Sequence, residues 1–344
     1  MNGAGERIDQ TDRSDRTDPS DLVLRFTAPE RAELAAEPAE ERPLGATDVA
    51  GRTLVSLVSA GTELAVYRGL LPGKYPRGSG YAAVFEVGAV GPAVTDLKPG
   101  DRAFCMGNHR SRQRVERREC VPVPAGLEPE RAVFARMMGI TMSTLVTTTA
   151  RPPDLVAVTG LGVVGLLGAQ VFAATGYRVL ACDPVEARRE AARRAGLADV
   201  RERIPLDDPE VKGRIALVLE CSGHEAAVLD GCRAVRRRGE VVLVGVPWER
   251  RAEMPAFDVL HAVFHNYAVL RSGWEWEVPR QPEDFRTGSL FANFAAAMEW
   301  IRNGRVRVDG LWEVRSPRDC QAAYQDLLRG RCERLSVLFD WRGV

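Results

Sequence analysis

The spacing of apolar residues changes along the chain and divides it into three regions. Across residues 22–150, short segments of alternating apolar and polar residues are separated by turn signals, as in GRTLVSLVSA (51–60) and AAVFEVGAV (82–90), which indicates a β-rich region. Residues 151–274 instead carry continuous apolar runs that alternate with helical segments, a pattern typical of buried parallel strands. Residues 275–344 are mixed, and we expect them to return to the β-rich region.

A strand, a glycine-rich turn and a helix open the second region. The apolar run Leu155–Val158 enters the turn GLGVVG (160–165), and a second apolar run, Arg178–Cys182, follows the helix. In such a turn the first glycine permits a tight bend, the second admits a pyrophosphate, and the third lets helix and strand pack closely. Asp183, eighteen residues after Gly165, ends the second strand, where a carboxylate can bind both adenosine ribose hydroxyls. The stretch predicts a dinucleotide-binding βαβ unit.

Further strand and helix alternation extends this unit. We expect strands over 214–221, 239–246 and 267–271. With the helices between them, they predict a doubly wound parallel sheet, the Rossmann architecture, in which ligands bind at the carboxyl ends of the strands. The residues assigned to the cofactor are Gly160, Leu161, Gly162, Val163, Val164, Gly165, Asp183, Arg188, Cys221, Ser222, Gly223, Gly245 and Val246.

Composition excludes several classes of protein. The 344 residues, 45% of them hydrophobic, suffice for two domains, and 47 basic residues balance 47 acidic ones, so no global charge favours nucleic acid or an anionic membrane. Residues 1–21 are polar and predicted to be a disordered tail without a hydrophobic signal segment. The seven cysteines are scattered, which favours reduced thiols. We expect a cytoplasmic protein with a small-molecule substrate, no nucleic-acid partner and no membrane span.

The charges near the predicted ribose site bear on the choice of cofactor. Asp183 would repel a 2′-phosphate and bind a free 2′-hydroxyl, which favours NAD(H) over NADP(H). Arg188 and Arg189 leave NADP(H) as the alternative, because arginines near the adenosine can hold a phosphate.

Several motifs carry a resemblance to a known family. SAGTELAVYRG (59–69), KPGDRAF (98–104) and the GLGVVG turn resemble the medium-chain dehydrogenase/reductase superfamily. Within it, the GTE of the first motif, SGY (79–81) and CSG (221–223) are similar to a zinc-less bacterial branch often labelled alcohol dehydrogenase. That branch includes dehydrogenases acting on bacteriochlorophyllide and on sugar-like or cyclitol metabolites.

The resemblance implies the domain organisation and the assembly. It implies a GroES-like substrate and catalytic domain formed by residues 22–150 and 275–344, a Rossmann domain over residues 151–274, and a homodimer through the edge of the Rossmann sheet. It also associates Arg188 with NAD, because NAD-using members carry a basic residue five positions after the acid.

The positions that bind catalytic zinc in related enzymes carry unsuitable residues here. The resemblance places Ala60 at the first cysteine, Gly80 and Tyr81 at the histidine and glutamate, and Met137 or Met138 at the third ligand. Alanine and glycine have no donor atom, and a thioether is a poor ligand for zinc. The structural zinc lobe needs four cysteines, and only Cys105 and Cys120 lie in the corresponding segment. We therefore predict no metal; a different site built on His109 and a cysteine lacks ligand spacing.

Without a metal, hydrogen-bond donors must stabilise a developing alkoxide. Thr62 stands where the family carries a relay hydroxyl, and Glu63 beside it is either an orienting group or a surface acid. Tyr81 is either a proton donor near the vacated metal position or a packing residue. His109, in MGNHRS, is either a general acid/base or an exposed loop histidine.

These residues predict a zinc-independent, NAD(H)-dependent oxidoreductase that interconverts a secondary alcohol and a ketone. The resemblance suggests a sugar or cyclitol of secondary metabolism as substrate. One alternative is an NADPH-dependent quinone or enoyl reductase acting on a C=C bond, and another is a non-catalytic redox sensor that binds a dinucleotide.

Overall fold

The computed structural model describes residues 20–40 and 42–344. Residues 1–19 of the predicted tail lie outside the described residues. The first strand begins at Ser20, and Asp21 is buried, so residues 20 and 21 belong to the β-rich domain rather than to a tail. None of the helices in the described part of the chain is long and apolar enough to cross a membrane.

The first part of the chain forms the predicted β-rich domain. Its elements are β1 (Ser20–Ala28), β2 (Arg31–Pro38), β3 (Asp48–Leu57), α1 (Ala60–Tyr67), β4 (Arg77–Gly78), β5 (Ala83–Val90), β6 (Arg102–Cys105), β7 (Arg112–Glu116), β8 (Cys120–Pro122), α2 (Pro129–Ala132) and α3 (Ala135–Thr147).

A parallel sheet with helices between its strands follows. Its elements are β9 (Leu155–Thr159), α4 (Val163–Ala174), β10 (Arg178–Cys182), α5 (Glu186–Arg194), β11 (Asp199–Arg201), β12 (Ile215–Glu220), α6 (Glu225–Ala234), β13 (Val235–Leu243), α7 (Ala256–Asn266) and β14 (Val269–Ser272). The six strands lie in the order β11-β10-β9-β12-β13-β14, and all neighbours are parallel. This order reverses beside β9, which confirms the prediction of a doubly wound sheet.

The end of the chain consists of α8 (Leu290–Arg302), β15 (Trp312–Arg315), α9 (Cys320–Leu328) and β16 (Ser336–Asp340). Strand β16 pairs antiparallel with β3 and thereby joins a seven-stranded sheet built mostly from the first part of the chain. Helix α9 lies beside α1 and β2. The last segment therefore places side chains next to the first turn of α1.

The two domains touch at several places, including an apolar interface and an ion pair. Helix α3 packs against α4 and α8 through buried apolar side chains that include Met138, Met142 and Phe294. At the second of these, Arg68, which follows α1, forms a bidentate ion pair with Glu249 in the loop after β13, with N–O distances of 2.7 and 2.8 Å. The loop that leaves the carboxyl end of β13 thus contacts the end of α1.

Candidate active site

The glycine-rich turn between β9 and α4 has the geometry of a phosphate cradle. Gly160 has φ +83°, and a Cβ there would lie 2.7 Å from the backbone nitrogen of Ser222. A Cβ at Gly165 would lie 1.9 Å from the carbonyl oxygen of Gly160, whereas the space around Gly162, where α4 begins, is open. Only the middle glycine therefore leaves its backbone accessible, and a pyrophosphate fits there at the helix N-terminus.

Asp183 connects the end of β10 to this turn. Its side chain is buried, and its carboxylate accepts hydrogen bonds from the backbone N–H of Leu161 at 2.7 Å and of Val185 at 2.8 Å. Arg188 donates to the same carboxylate at 3.3 Å, and its own side chain is 45% exposed. A ribose that binds Asp183 would therefore compete with the half-exposed Arg188 for the carboxylate.

The segments after β12 and β13 lie beside the glycine-rich turn and complete the predicted cofactor site. Gly223 has φ +63°, and a Cβ at Gly245 would lie 2.4 Å from the nitrogen of Gly223, so the two segments touch. Cys221 and Ser222 are partly exposed there, and Val246 is 44% exposed. Val163 and Val164, in the first turn of α4, are also partly exposed.

Glu220, the last residue of β12, holds the segment that follows this strand. Its fully buried carboxylate accepts hydrogen bonds from the backbone N–H of Ser222 at 2.7 Å and of Gly223 at 3.1 Å, and from the Ser222 hydroxyl. Burial raises the pKa of Glu220, although these hydrogen bonds act in the opposite direction. Sequence reasoning missed this residue; its signal was a carboxylate at the end of the apolar strand IALVLE.

The positions at which the resemblance places the zinc ligands of related enzymes carry residues that do not suit a metal ion. Gly80 has φ +85°, and a Cβ there would lie 2.6 Å from Cγ and Cδ2 of His109. The imidazole of His109 therefore occupies the space from which a ligand at residue 80 would extend. Met137 and Met138 are buried in the apolar core. Across residues 20–40 and 42–344, no cluster of three or more His, Cys, Asp or Glu side chains is arranged to hold a metal ion. These residues do not fit zinc.

His109 and Glu63 form the centre of a buried polar network. Glu63 accepts hydrogen bonds from His109 Nε2 at 3.0 Å, from the Tyr324 hydroxyl at 2.5 Å and from the backbone N–H of Ser59 at 2.7 Å. His109 Nδ1 lies 2.7 Å from Ser56 Oγ. Burial, followed by the nearby Glu63 carboxylate, raises the pKa of Tyr324 well above its ordinary value, so its phenol remains a donor.

This geometry corrects two interpretations of the sequence. Glu63 is 3% exposed and His109 is 0% exposed, so Glu63 is not a surface acid and His109 is not an exposed loop histidine. Both ring nitrogens of His109 are bonded inside the protein, to Ser56 and Glu63, so a role as general acid/base stays a prediction and would act through these partners. Glu63 and His109 hold the first turn of α1, since Glu63 bonds the backbone of Ser59.

A group of hydroxyls lies at the start of α1. Thr62 is partly exposed on this helix, and the half-buried Tyr81 donates a short hydrogen bond to Ser59 Oγ. Burial raises the pKa of Tyr81, while the positive charge of Arg136 and hydrogen bonding with Ser59 and Thr62 act to lower it. Ser59 was not predicted from the sequence. The Ser59 hydroxyl bonds Tyr81, and the Ser59 backbone N–H bonds Glu63. Ser59 therefore connects the candidate proton donor Tyr81 to the buried network.

Known proteins resemble this chain in sequence and in fold. A family model described as "Zinc-binding dehydrogenase" matches residues 163–287. An alcohol dehydrogenase of Geobacillus stearothermophilus is 28% identical over 252 residues, which are 61% of this chain and 74% of that protein. A sorbitol dehydrogenase of Halalkalibacterium halodurans is 25% identical over 225 residues, 54% of this chain and 66% of that protein.

A solved structure extends the likeness to both domains. A putative zinc-binding dehydrogenase from Sinorhizobium meliloti, bound to NADP, superposes with a TM-score of 0.75 over 93% of this chain and 99% of that chain, at 19% identity. These matches confirm the predicted resemblance to the medium-chain dehydrogenase/reductase superfamily. The matched relatives are dehydrogenases, which supports the prediction of an NAD(P)-dependent oxidoreductase.

The segment matched by the family model does not include the positions at which the resemblance places zinc ligands. The family model begins at Val163, beyond Ala60, Gly80 and Met138, where the resemblance places the zinc ligands of related enzymes. The match therefore covers the part of the chain that carries the predicted dinucleotide site, and the words "zinc-binding" in the family's description are no evidence for zinc here.

Proposed function

We propose that this protein is a zinc-independent, NAD(H)-dependent oxidoreductase that interconverts a secondary alcohol and a ketone. The observation that carries the proposal is the position of His109: its ring fills the space beside Gly80, and its partner Glu63 supports a turn that presents hydroxyls. Hydrogen-bond donors then take over the stabilisation of the substrate oxygen.

The roles of the side chains follow from this arrangement. When bound, the nicotinamide accepts or donates the hydride. Thr62 and Tyr81 would contact the substrate oxygen and transfer its proton, because both are partly exposed hydroxyls close in sequence to Ala60 and Gly80, where the resemblance places zinc ligands. Ser59 accepts the hydrogen bond of Tyr81, and Glu63 and His109 hold the backbone of Ser59 in place. The cofactor would lie on Gly160–Gly165, Cys221–Gly223 and Gly245–Val246.

We propose a polyol, sugar or cyclitol as the substrate class and NAD(H) as the cofactor. The alcohol dehydrogenase and sorbitol dehydrogenase relatives support an alcohol or polyol. Asp183 supports NAD(H), because a buried carboxylate repels a 2′-phosphate. The Sinorhizobium meliloti structure with NADP and the half-exposed Arg188 keep NADP(H) as the competing cofactor.

Two measurements test this proposal. Fluorescence titrations should give tighter binding of NADH than of NADPH, and the reverse order would refute the argument from Asp183. Turnover of a panel of polyols, cyclitols, ketones and enones should occur on the alcohols and ketones. Turnover of enones alone would identify a C=C reductase, and an inert panel despite bound NADH would identify a redox sensor.

Elemental analysis tests the absence of zinc. We expect the purified protein to contain no stoichiometric zinc and to keep its turnover after dialysis against a chelator. One zinc ion per chain, or activity lost to the chelator and restored by zinc, would refute a metal-free mechanism.

We also propose a cytoplasmic homodimer that forms through β14. This strand is the last in the six-stranded sheet, and an exposed edge strand is a template for pairing with another chain. Val269 on this strand is 42% exposed, and Phe264 and Tyr267 just before it are 77% and 70% exposed. These apolar side chains would be covered in such a dimer.

A further inference from the structure

Arg136 is a cation buried at the start of α3. Its side chain is 3% exposed, and its guanidinium makes two hydrogen bonds with Glu275, with N–O distances of 2.7 and 2.5 Å. The remaining nitrogen, Nε, is buried without a hydrogen-bond partner among the residues that the structure describes. A buried ion pair of this kind rarely adds net stability, because desolvation offsets the attraction between the charges. The fold alone therefore does not explain Arg136.

The guanidinium of Arg136 also lies over the ring of Tyr81. Its Cζ atom is 4.6 Å from the centre of the ring, within the range of a cation–π interaction. The hydroxyl of the same ring donates to Ser59. Tyr81 is thus held at two points, at its ring by Arg136 and at its hydroxyl by Ser59, so its orientation is fixed.

Glu275 connects this contact to the cofactor side of the molecule. It follows β14 in the loop that also carries Trp274 and Trp276. Ligands of doubly wound sheets bind at the carboxyl ends of the strands, and this loop leaves the carboxyl end of β14. Glu275 therefore links the guanidinium that lies over Tyr81 to this loop.

We propose that Arg136, held by Glu275, is a positioning residue that fixes Tyr81 as the proton donor of the reaction. This inference rests on the proposed function, in which Tyr81 transfers the proton of the substrate oxygen. Arg136 keeps a positive charge beside the phenol, where charge develops when the proton leaves, and its planar guanidinium keeps the ring from rotating. A lysine would keep the charge but lose the planar contact with both Glu275 and the ring.

A double-mutant cycle tests whether Arg136 acts through Tyr81. The variant Arg136→Gln/Glu275→Gln removes both charges, so that no unpaired charge remains buried. With sorbitol or 2,3-butanediol and NAD as probes, we expect kcat to fall roughly 10- to 100-fold, as for other supporting residues, and NADH binding to stay unchanged. In a Tyr81→Phe background the same pair should change kcat less than about twofold, because the group it positions is gone. An equal loss in both backgrounds would overturn the inference.

The variant Arg136→Lys provides a second comparison. It keeps the cation and a bond to Glu275, so we expect kcat between those of the wild type and the double glutamine variant. Wild-type turnover by Arg136→Lys would refute the role given to the planar contact. Wild-type turnover in both variants would refute any positioning role.

Nuclear magnetic resonance of 3-fluorotyrosine-labelled protein separates this inference from the proposed function. The signal of Tyr81 is identified by its absence in Tyr81→Phe, and it should shift by more than its linewidth in Arg136→Gln/Glu275→Gln. Arg305→Gln, which removes an exposed arginine 4.3 Å from the ring of Trp300, should leave it unchanged. An unshifted Tyr81 signal would refute the contact. A shifted signal in a protein inert toward every probe would refute the proposed function alone.

Discussion

At the scale of single residues, Gly80 is the position on which the polar network depends. A side chain there would meet the imidazole of His109 at 2.6 Å, and the backbone has φ +85°, a conformation that costs any other residue about 1–2 kcal/mol. His109 can bond Glu63 and Ser56 only while residue 80 has no side chain. The glycine at position 80, which cannot bind zinc, is therefore also what makes room for the hydrogen-bond network of His109.

Gly80→Ala tests this dependence. We expect the free energy of unfolding, measured by denaturant titration, to fall by about 2–4 kcal/mol, from overpacking against His109 and from backbone strain. Gly61→Ala is the matched control, because Gly61 lies in α1 with no atom within 4 Å of an added Cβ. If Gly80→Ala were as stable as this control, the His109 ring would not occupy the space that the structure assigns to it.

Asp183→Ala tests the choice of cofactor. The lost hydrogen bonds to the ribose should weaken NADH binding roughly tenfold or more, and NADPH binding should change little. Fluorescence titration measures both constants. Asp199→Ala, on the neighbouring strand, is the control for a change of charge. Unchanged NADH affinity in Asp183→Ala would mean that this carboxylate does not touch the ribose.

Sequence reasoning at this scale found residues with a motif or a chemical signature and missed residues brought in by the fold. Thr62, Glu63 and Tyr81 lie in motifs of the superfamily, and the structure places them together. Tyr324 approaches Glu63 only because α9 returns to the first domain, a contact across 261 positions of the chain. Arg136 had a signal that went unread, a single charge in the apolar segment FARMMG.

At the scale of secondary structure elements, Glu240 connects three segments at one end of the parallel sheet. From β13 it accepts hydrogen bonds from the backbone N–H of Thr149 at 2.6 Å and from Arg271 of β14 at 2.9 Å. Its side chain is 5% exposed. Burial acts to raise the pKa of Glu240, but hydrogen bonds from Thr149 and Arg271 hold it below the ordinary value of 4.5.

This carboxylate should make the sheet sensitive to acid. Because its folded pKa is depressed, Glu240 stabilises the protein above about pH 4.5, and this contribution is lost as the pH falls through the lower folded pKa. Glu240→Gln should therefore lower the thermal midpoint at pH 7, by the equivalent of about 1–3 kcal/mol, and the gap to wild type should narrow toward pH 3.

The control for Glu240→Gln is Glu277→Gln. Glu277 bonds the same arginine, Arg271, at 3.1 Å but its side chain is 48% exposed. We expect little loss of stability in this control at any pH, as is usual for exposed ion pairs. Equal losses in the two variants would contradict the role given to burial.

Elements with a strong apolar pattern were predicted well, and short or polar elements were not. The run Arg178–Cys182 is β10 at those bounds. Strand β11 is only three residues long and begins and ends with charged residues, so no pattern indicated it. The strand expected over 51–60 ends at Leu57, because α1 begins at Ala60. The glycine and threonine in the first turn of α1 have low helix propensity and concealed it.

At the scale of the whole molecule, the edge of the parallel sheet offers a place for a second copy. Val269→Lys puts a charge on β14, which natural edge strands use to prevent pairing. We expect this variant to shift a dimer to a monomer in analytical ultracentrifugation. Val314→Lys, on the edge strand β15 of the other large sheet, with Val314 53% exposed, should leave the dimer intact. A wild-type monomer, or dissociation in Val314→Lys alone, would refute this interface.

The ion pair between Arg68 and Glu249 sets a limit on how strongly the two halves of the molecule hold each other at that point. Both side chains are about one-third exposed, and pairs of this kind are worth about 0–1 kcal/mol. Loss of this ion pair would change the ratio of molecules with and without this domain contact by a factor of about five at most. Raising the ionic strength should therefore loosen the contact between the domains only slightly, because the buried apolar contacts of α3 with α4 and α8 carry no charge to be screened.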